Sequence, residues 1–212
     1  MILSHRYRCI FVHIPKTAGT SITEAFREIA GTSDLIISGP GQHIRGRDIL
    51  AKFPDEAASY RWFTAVRNPW DLVHSDWRFC QRMQTELSDE DEPDPPFHEK
   101  VKRVAGYESF AEFAWHEYLA PWQHTYWPYY CQADDGRDLV THTLRFERIE
   151  EDWRRVCEQL GLPLVSLPHL NGATRREFRL DYTDELRGNV GRKYEYEINR
   201  FGYTFDEQPT IP

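Results

Sequence analysis

Between Cys9 and Ala30 the chain runs CIFVHI, then PKTAGTS, then ITEAFREIA. Cys9 to Ile14 is a short run of β-branched and aromatic residues that stops at Pro15, which reads as a buried strand. Ile22, Ala25, Phe26 and Ile29 then fall at helical spacing before Gly31, with Thr20 or Ser21 available to cap the helix. A buried strand feeding a helix through a tight turn of small residues starts an α/β layer, and it constrains the rest of the chain more than any other segment.

The remaining sequence continues that alternation. Strands are expected at Leu35 to Ile37, at Trp62 to Val66 and at Leu139 to Phe146. The second of these runs into Arg67, Asn68 and Pro69 and then a helical pattern to about Met83. Further helices are expected around Glu108 to Leu119 and from about Ile149 to Leu160, the latter stopped by Gly161 and Pro163. A loop from Pro168 to Arg179 and a charged helix from about Thr183 to Asn199 close the chain. Residues 85–99, TELSDEDEPDPPFHE, are acidic, carry three prolines and lack periodicity, so they read as a solvated, mobile insert rather than a boundary. The expected fold class is α/β, one domain over residues 1–212, with a central parallel sheet flanked by helices in a P-loop-like nucleotide-binding arrangement.

Composition bounds the function. With 212 residues, 40% hydrophobic and 28% charged, the chain can bury one ordinary core. A net charge of −8 argues against nucleic-acid binding, so any anion site must be local. Cys9, Cys80, Cys131 and Cys157 are scattered, without metal-ligand spacing, and read as reduced thiols. The opening MILSHRYRCIFVHI has too short an apolar run for a signal segment or membrane span, so a cytoplasmic location is expected.

The chemistry concentrates in two turns. IPKTAGTS sets Lys16, a small-residue turn and two hydroxyls between a strand and a helix N-terminus, where backbone N–H groups and the helix dipole favour an anion and Gly19 permits close approach. The plain alternative is a capped turn with an exposed lysine. Because the lysine precedes the glycine, the order differs from GxxxxGK[ST], and no metal is expected. PKTAGTS resembles the 5′-phosphosulfate loop of sulfotransferases that use 3′-phosphoadenosine 5′-phosphosulfate (PAPS), closest to the carbohydrate, uronyl 2-O-type branch. VRNPWDLVHSDWRF, with Arg67 leaving a strand and Ser75 on the next helix, resembles that family's 3′-phosphate motif. LRFERIEEDWRRVCEQLGLP and YTDELRGNVGRKYEYEINRFGYTF resemble its later segments, so the likeness covers most of the chain.

The resemblance implies an enzyme that moves a sulfuryl group from PAPS to a hydroxyl, with a carbohydrate acceptor expected. Lys16 would neutralise charge on the leaving 5′-phosphate, while the backbone of Thr17, Ala18, Gly19, Thr20 and Ser21 cradles the 5′-phosphosulfate. Arg67 and Ser75 would hold the 3′-phosphate, whose charge and geometry suit a planar guanidinium and a hydroxyl. Arg175, in the basic loop HLNGATRREF, is a further 3′-phosphate candidate, and a solvated loop explains it equally well. The acceptor hydroxyl needs a base, and among the nine histidines the uronyl branch points to His43, with Glu24 as the fallback. His13 and Glu147 read as structural, and His74 as a neighbour of the nucleotide site. The aromatic stretch FAWHEYLAPWQHTYWPYY reads first as core and second as a sugar platform. Two other classes compete: an NTP-dependent P-loop kinase, which needs the missing GK[ST], and a non-catalytic nucleotide- or sugar-binding module, against which the intact Lys16, Arg67 and Ser75 argue. Acceptor identity and oligomeric state stay open.

Overall fold

The computed structural model describes residues 1–31, 34–37, 43–86, 95–168 and 177–207. In chain order the elements are β1 (Ile2–Ser4), β2 (Cys9–Val12), α1 (Gly19–Ala30), β3 (Leu35–Ile37), α2 (Gly46–Lys52), α3 (Pro54–Ser59) and β4 (Arg61–Val66). After these come α4 (Pro69–Glu86), α5 (Pro95–Ala105), α6 (Phe110–Ala114), α7 (Tyr126–Cys131), β5 (His142–Arg145), α8 (Ile149–Leu160), α9 (Asp184–Lys193) and α10 (Glu195–Phe201). Contacts gather these into two units: one of residues 1–67 and 126–168, the other of residues 68–125 and 177–207.

The first unit holds a five-stranded sheet in the order β3-β1-β2-β4-β5. β2, β4 and β5 are parallel neighbours, as the strand–helix alternation demands, and β1 runs antiparallel to both β2 and β3. The sheet is therefore mixed around a parallel core. β1 was not anticipated, because Ile2 and Leu3 stand before a polar run, Ser4 to Arg6, that shows no strand pattern. On one face Phe11, Phe63, Ala65 and Leu144 meet Phe26 of α1 and Trp153 of α8, all buried. The other face is closed in part by α3, whose Ala57 carbonyl accepts from Trp62 Nε1 at 3.1 Å. Burial on both faces explains why CIFV and WFTAV read as continuous apolar runs.

The second unit is helical. α4 packs against α5, α6 and α9, and α10 comes after α9 across a break at Tyr194 where one charged helix was expected. Helix 108–119 is likewise divided, into α6 and a π-helical turn at Trp115–Leu119. Residues 85–99 do not form one loop: α4 runs to Glu86, and α5 starts at Pro95, where proline suits a first helical turn. Residues 87–94 lie outside the described residues. Among the described residues no helix is long and apolar enough to cross a membrane. The four cysteines are buried thiols, and burial pushes Cys9 up to about 12.

Candidate active site

The turn after β2 is strained. Lys16 and Ala18 both take left-handed backbone angles, φ 65° and φ 69°. A non-glycine residue held there costs about 1–2 kcal/mol. Three bonds over-determine the shape. Buried Thr17 donates its Oγ1 proton to the Ile14 carbonyl at 2.8 Å, Ile22 N–H donates to the Ala18 carbonyl at 3.1 Å, and Arg67 Nη1 donates to the Lys16 carbonyl at 3.0 Å. The capping residue is Ala18, not Thr20 or Ser21, and no side chain caps α1. The first turn also carries no acidic residue. A side-chain cap would occupy the N–H groups that an anion needs, so this departure from the expected cap fits an oxyanion cradle.

Gly19 is required by a neighbour. A Cβ at this position would stand 1.8 Å from His13 Nε2, so any side chain must displace that ring. His13 is stacked on Phe11 with centroids 5.8 Å apart and meets His43 edge-on at 4.5 Å. Burial lowers His13 to about 3, helped by the electrostatic influence of neighbouring His43, the N-terminus and Lys16. The imidazole against the turn is therefore neutral at pH 7.

His43 Nδ1 lies 3.0 Å from the His13 carbonyl oxygen. A carbonyl only accepts, so Nδ1 carries the proton and the neutral ring has its lone pair on Nε2. Residues 38–42, just before, lie outside the described residues. On the other side of His43 the backbone is anchored: α2 begins at Gly46, where a Cβ would come within 2.8 Å of the Tyr130 carbonyl, so only glycine lets α2 approach α7 this closely. Arg45 adds a fork onto Asp48, Nε–Oδ2 2.6 Å and Nη2–Oδ1 2.9 Å.

Arg67, at the end of β4, joins the same cluster. Its guanidinium carbon sits 4.0 Å from the Phe146 ring centroid, its residue is 7% exposed, and its own carbonyl accepts from Tyr126 Oη at 3.1 Å. The first unit thus brings together the Lys16–Gly19 turn, His43 and Arg67. Ser75 belongs to the second unit, half-buried on the second turn of α4. Arg175 lies outside the described residues. Glu24, the fallback base, pairs with Arg27 on α1. Next to Ser75, His74 is buried, with Nε2 2.8 Å from Asp181 Oδ2; burial lowers it although Asp181 pulls the other way. Glu147 is buried.

The aromatic stretch divides. Tyr126 and Trp127 are core, with Trp127 Nε1 donating to Asp138 at 2.8 Å, whereas Trp115 and Trp122 are 54% and 73% exposed. Sequence reasoning passed over Phe146 and gave His13 no part in shaping the turn. The position of His13 two residues before Pro15 was the available signal for one, while nothing local marks the other.

A sequence profile of the sulfotransferase family matches residues 1–204. No curated protein and no solved structure is matched by the chain. A match that runs through both turns and nearly the whole sequence agrees with the uncapped, lysine-led cradle, and the chain belongs to the sulfotransferase family, a family of enzymes.

Proposed function

We propose that the protein transfers a sulfuryl group from PAPS to a carbohydrate hydroxyl, with the Lys16 turn as the site of the 5′-phosphosulfate and His43 as the base. The observation that carries this reading is the strained turn at residues 16–19, with no side-chain cap on α1 and no acid in its first turn, beside a histidine whose tautomer is set by a backbone carbonyl. PAPS supplies an activated sulfuryl group on a phosphate leaving group. The Lys16 ammonium and the backbone N–H groups at the start of α1 offset negative charge at that phosphate. His43 Nε2 accepts the proton of the attacking hydroxyl as the new O–S bond forms and the S–O bond to phosphate breaks, so charge and protons balance. Arg67 and Ser75 are assigned to the 3′-phosphate on the likeness of VRNPWDLVHSDWRF, and Arg175 on its basic loop.

The carbohydrate acceptor is supported by the likeness to the uronyl 2-O branch and by the exposed rings of Trp115 and Trp122, which offer apolar faces suited to pyranose rings. The test is turnover: incubate the protein with PAPS and a panel of uronate-containing glycans, neutral glycans and simple alcohols, then read 3′,5′-adenosine bisphosphate (PAP) release and sulfated product. Release dependent on uronate glycans is expected. Transfer only to small alcohols would overturn the acceptor, and PAP binding without turnover of any acceptor would favour a non-catalytic module.

A further inference from the structure

The left-handed conformation of Lys16 poses a question that the sulfuryl-donor site does not answer: what keeps the turn in this shape before any ligand is bound. Thr17 secures the turn from inside, through the Ile14 carbonyl. From the other side the Lys16 carbonyl is held by Arg67 Nη1 at 3.0 Å. The arginine is not a loose surface side chain. It is 7% exposed, its guanidinium lies 4.0 Å from the Phe146 centroid, and Tyr126 Oη pins its backbone. Phe146 itself comes directly after β5, opens a 3-10 turn and packs against the buried cluster beneath the sheet. A guanidinium stacked on an aromatic face loses little freedom when it donates, and an arginine presents several N–H groups in one plane, so one can grip a carbonyl while the side chain keeps its charge for an anion.

We propose that Arg67 and Phe146 form a brace for the 5′-phosphosulfate turn: Phe146 fixes the plane of the guanidinium, the guanidinium holds the Lys16 carbonyl, and the turn is thereby set in its anion-ready shape before the nucleotide arrives. Both are positioning residues in this role, which rests on the turn being the 5′-phosphosulfate site. The brace differs from a 3′-phosphate contact in what it predicts. Loss of a 3′-phosphate contact weakens only nucleotides that carry that phosphate. Loss of the brace weakens every nucleotide with a 5′-phosphate.

The experiment is calorimetric titration of wild type, Phe146→Leu, Phe146→Tyr and Arg67→Lys with adenosine, 5′-AMP and PAP, alongside melting curves. The brace predicts that Phe146→Leu weakens 5′-AMP by about tenfold, the worth of one hydrogen bond to a charged group, and PAP by at least that factor, since the same guanidinium is assigned to the 3′-phosphate. Adenosine affinity should not change, and Phe146→Tyr, which keeps the ring, should bind like wild type. Arg67→Lys should weaken 5′-AMP as well as PAP, and it carries the test if Phe146→Leu does not fold. The brace is overturned if both variants bind 5′-AMP like wild type, if only PAP weakens, or if adenosine weakens equally. Wild type that binds none of the three removes the nucleotide site itself, and the brace with it.

Discussion

Helices α1 and α9 begin in opposite ways. At α9, Thr183 Oγ1 accepts from Leu186 N–H at 3.2 Å, and Asp184 and Glu185 stand in the first turn against the positive end of the dipole. At α1 the capping position is an alanine in a left-handed conformation, no side chain caps, no acid stands in the first turn, and the residue two before the cap is Lys16. The chain satisfies one helix start from its own side chains, and the other is the start proposed to take an anion. A helix that forgoes its cap and adds backbone strain gives up stability, and such an expense is accounted for at a binding site.

Five substitutions and one titration can break or sharpen that contrast. The largest effect is expected for Lys16→Ala, which removes the cation proposed to face the leaving phosphate: kcat for sulfuryl transfer should fall about 10²–10³-fold with the melting temperature held, as on removal of one electrostatic stabiliser. Unchanged turnover would show that α1 is not where the chemistry occurs. Gly19→Ala forces a methyl against His13 and should cost about 1–3 kcal/mol in chemical denaturation, together with nucleotide affinity.

His13 gives the contrast a pH signature. Its folded value of about 3 lies below its ordinary 6.5, so between these the unfolded chain takes up a proton that the folded chain refuses. Stability should therefore fall on acidification through this window, by up to about 1.4 kcal/mol per pH unit from this one group. His13→Asn should flatten that slope in denaturant melts taken from neutral pH downward.

Two smaller changes exchange the characters of the helix starts. Thr20→Asp puts an acid in the first turn of α1 and should raise stability by about 0.3–1 kcal/mol while weakening PAP by about tenfold or more. Thr183→Ala should lower stability by about 1 kcal/mol and leave PAP affinity alone. Both are read by paired melting and titration. If Thr20→Asp leaves affinity unchanged, the start of α1 is no anion site.

Much of this was legible in the sequence, and the failures have physical causes. The strands Cys9–Val12, Leu35–Ile37 and Arg61–Val66 and the helix Ile149–Leu160 follow from periodicity and from the stops at Pro15 and Gly161. PKTAGTS marked the turn between β2 and α1 that carries the proposed anion cradle. The cap at Thr20 or Ser21 was misjudged because capping preferences describe helices that satisfy themselves, which α1 does not. Helices α2 and α3 are too short to show a period, and the prolines at 95 and 96 signal a loop and a first helical turn equally well. The Arg67 bond to a backbone carbonyl and its stacking on Phe146 join segments far apart in sequence, and a carbonyl carries no residue-type signature.

The most direct test of the turn as a PAPS site is calorimetric titration with PAP against 5′-AMP, ATP and ATP with magnesium. Tightest binding of PAP, weaker binding of 5′-AMP and no gain from magnesium are expected. Preference for magnesium ATP, or no binding of PAP at all, would contradict it.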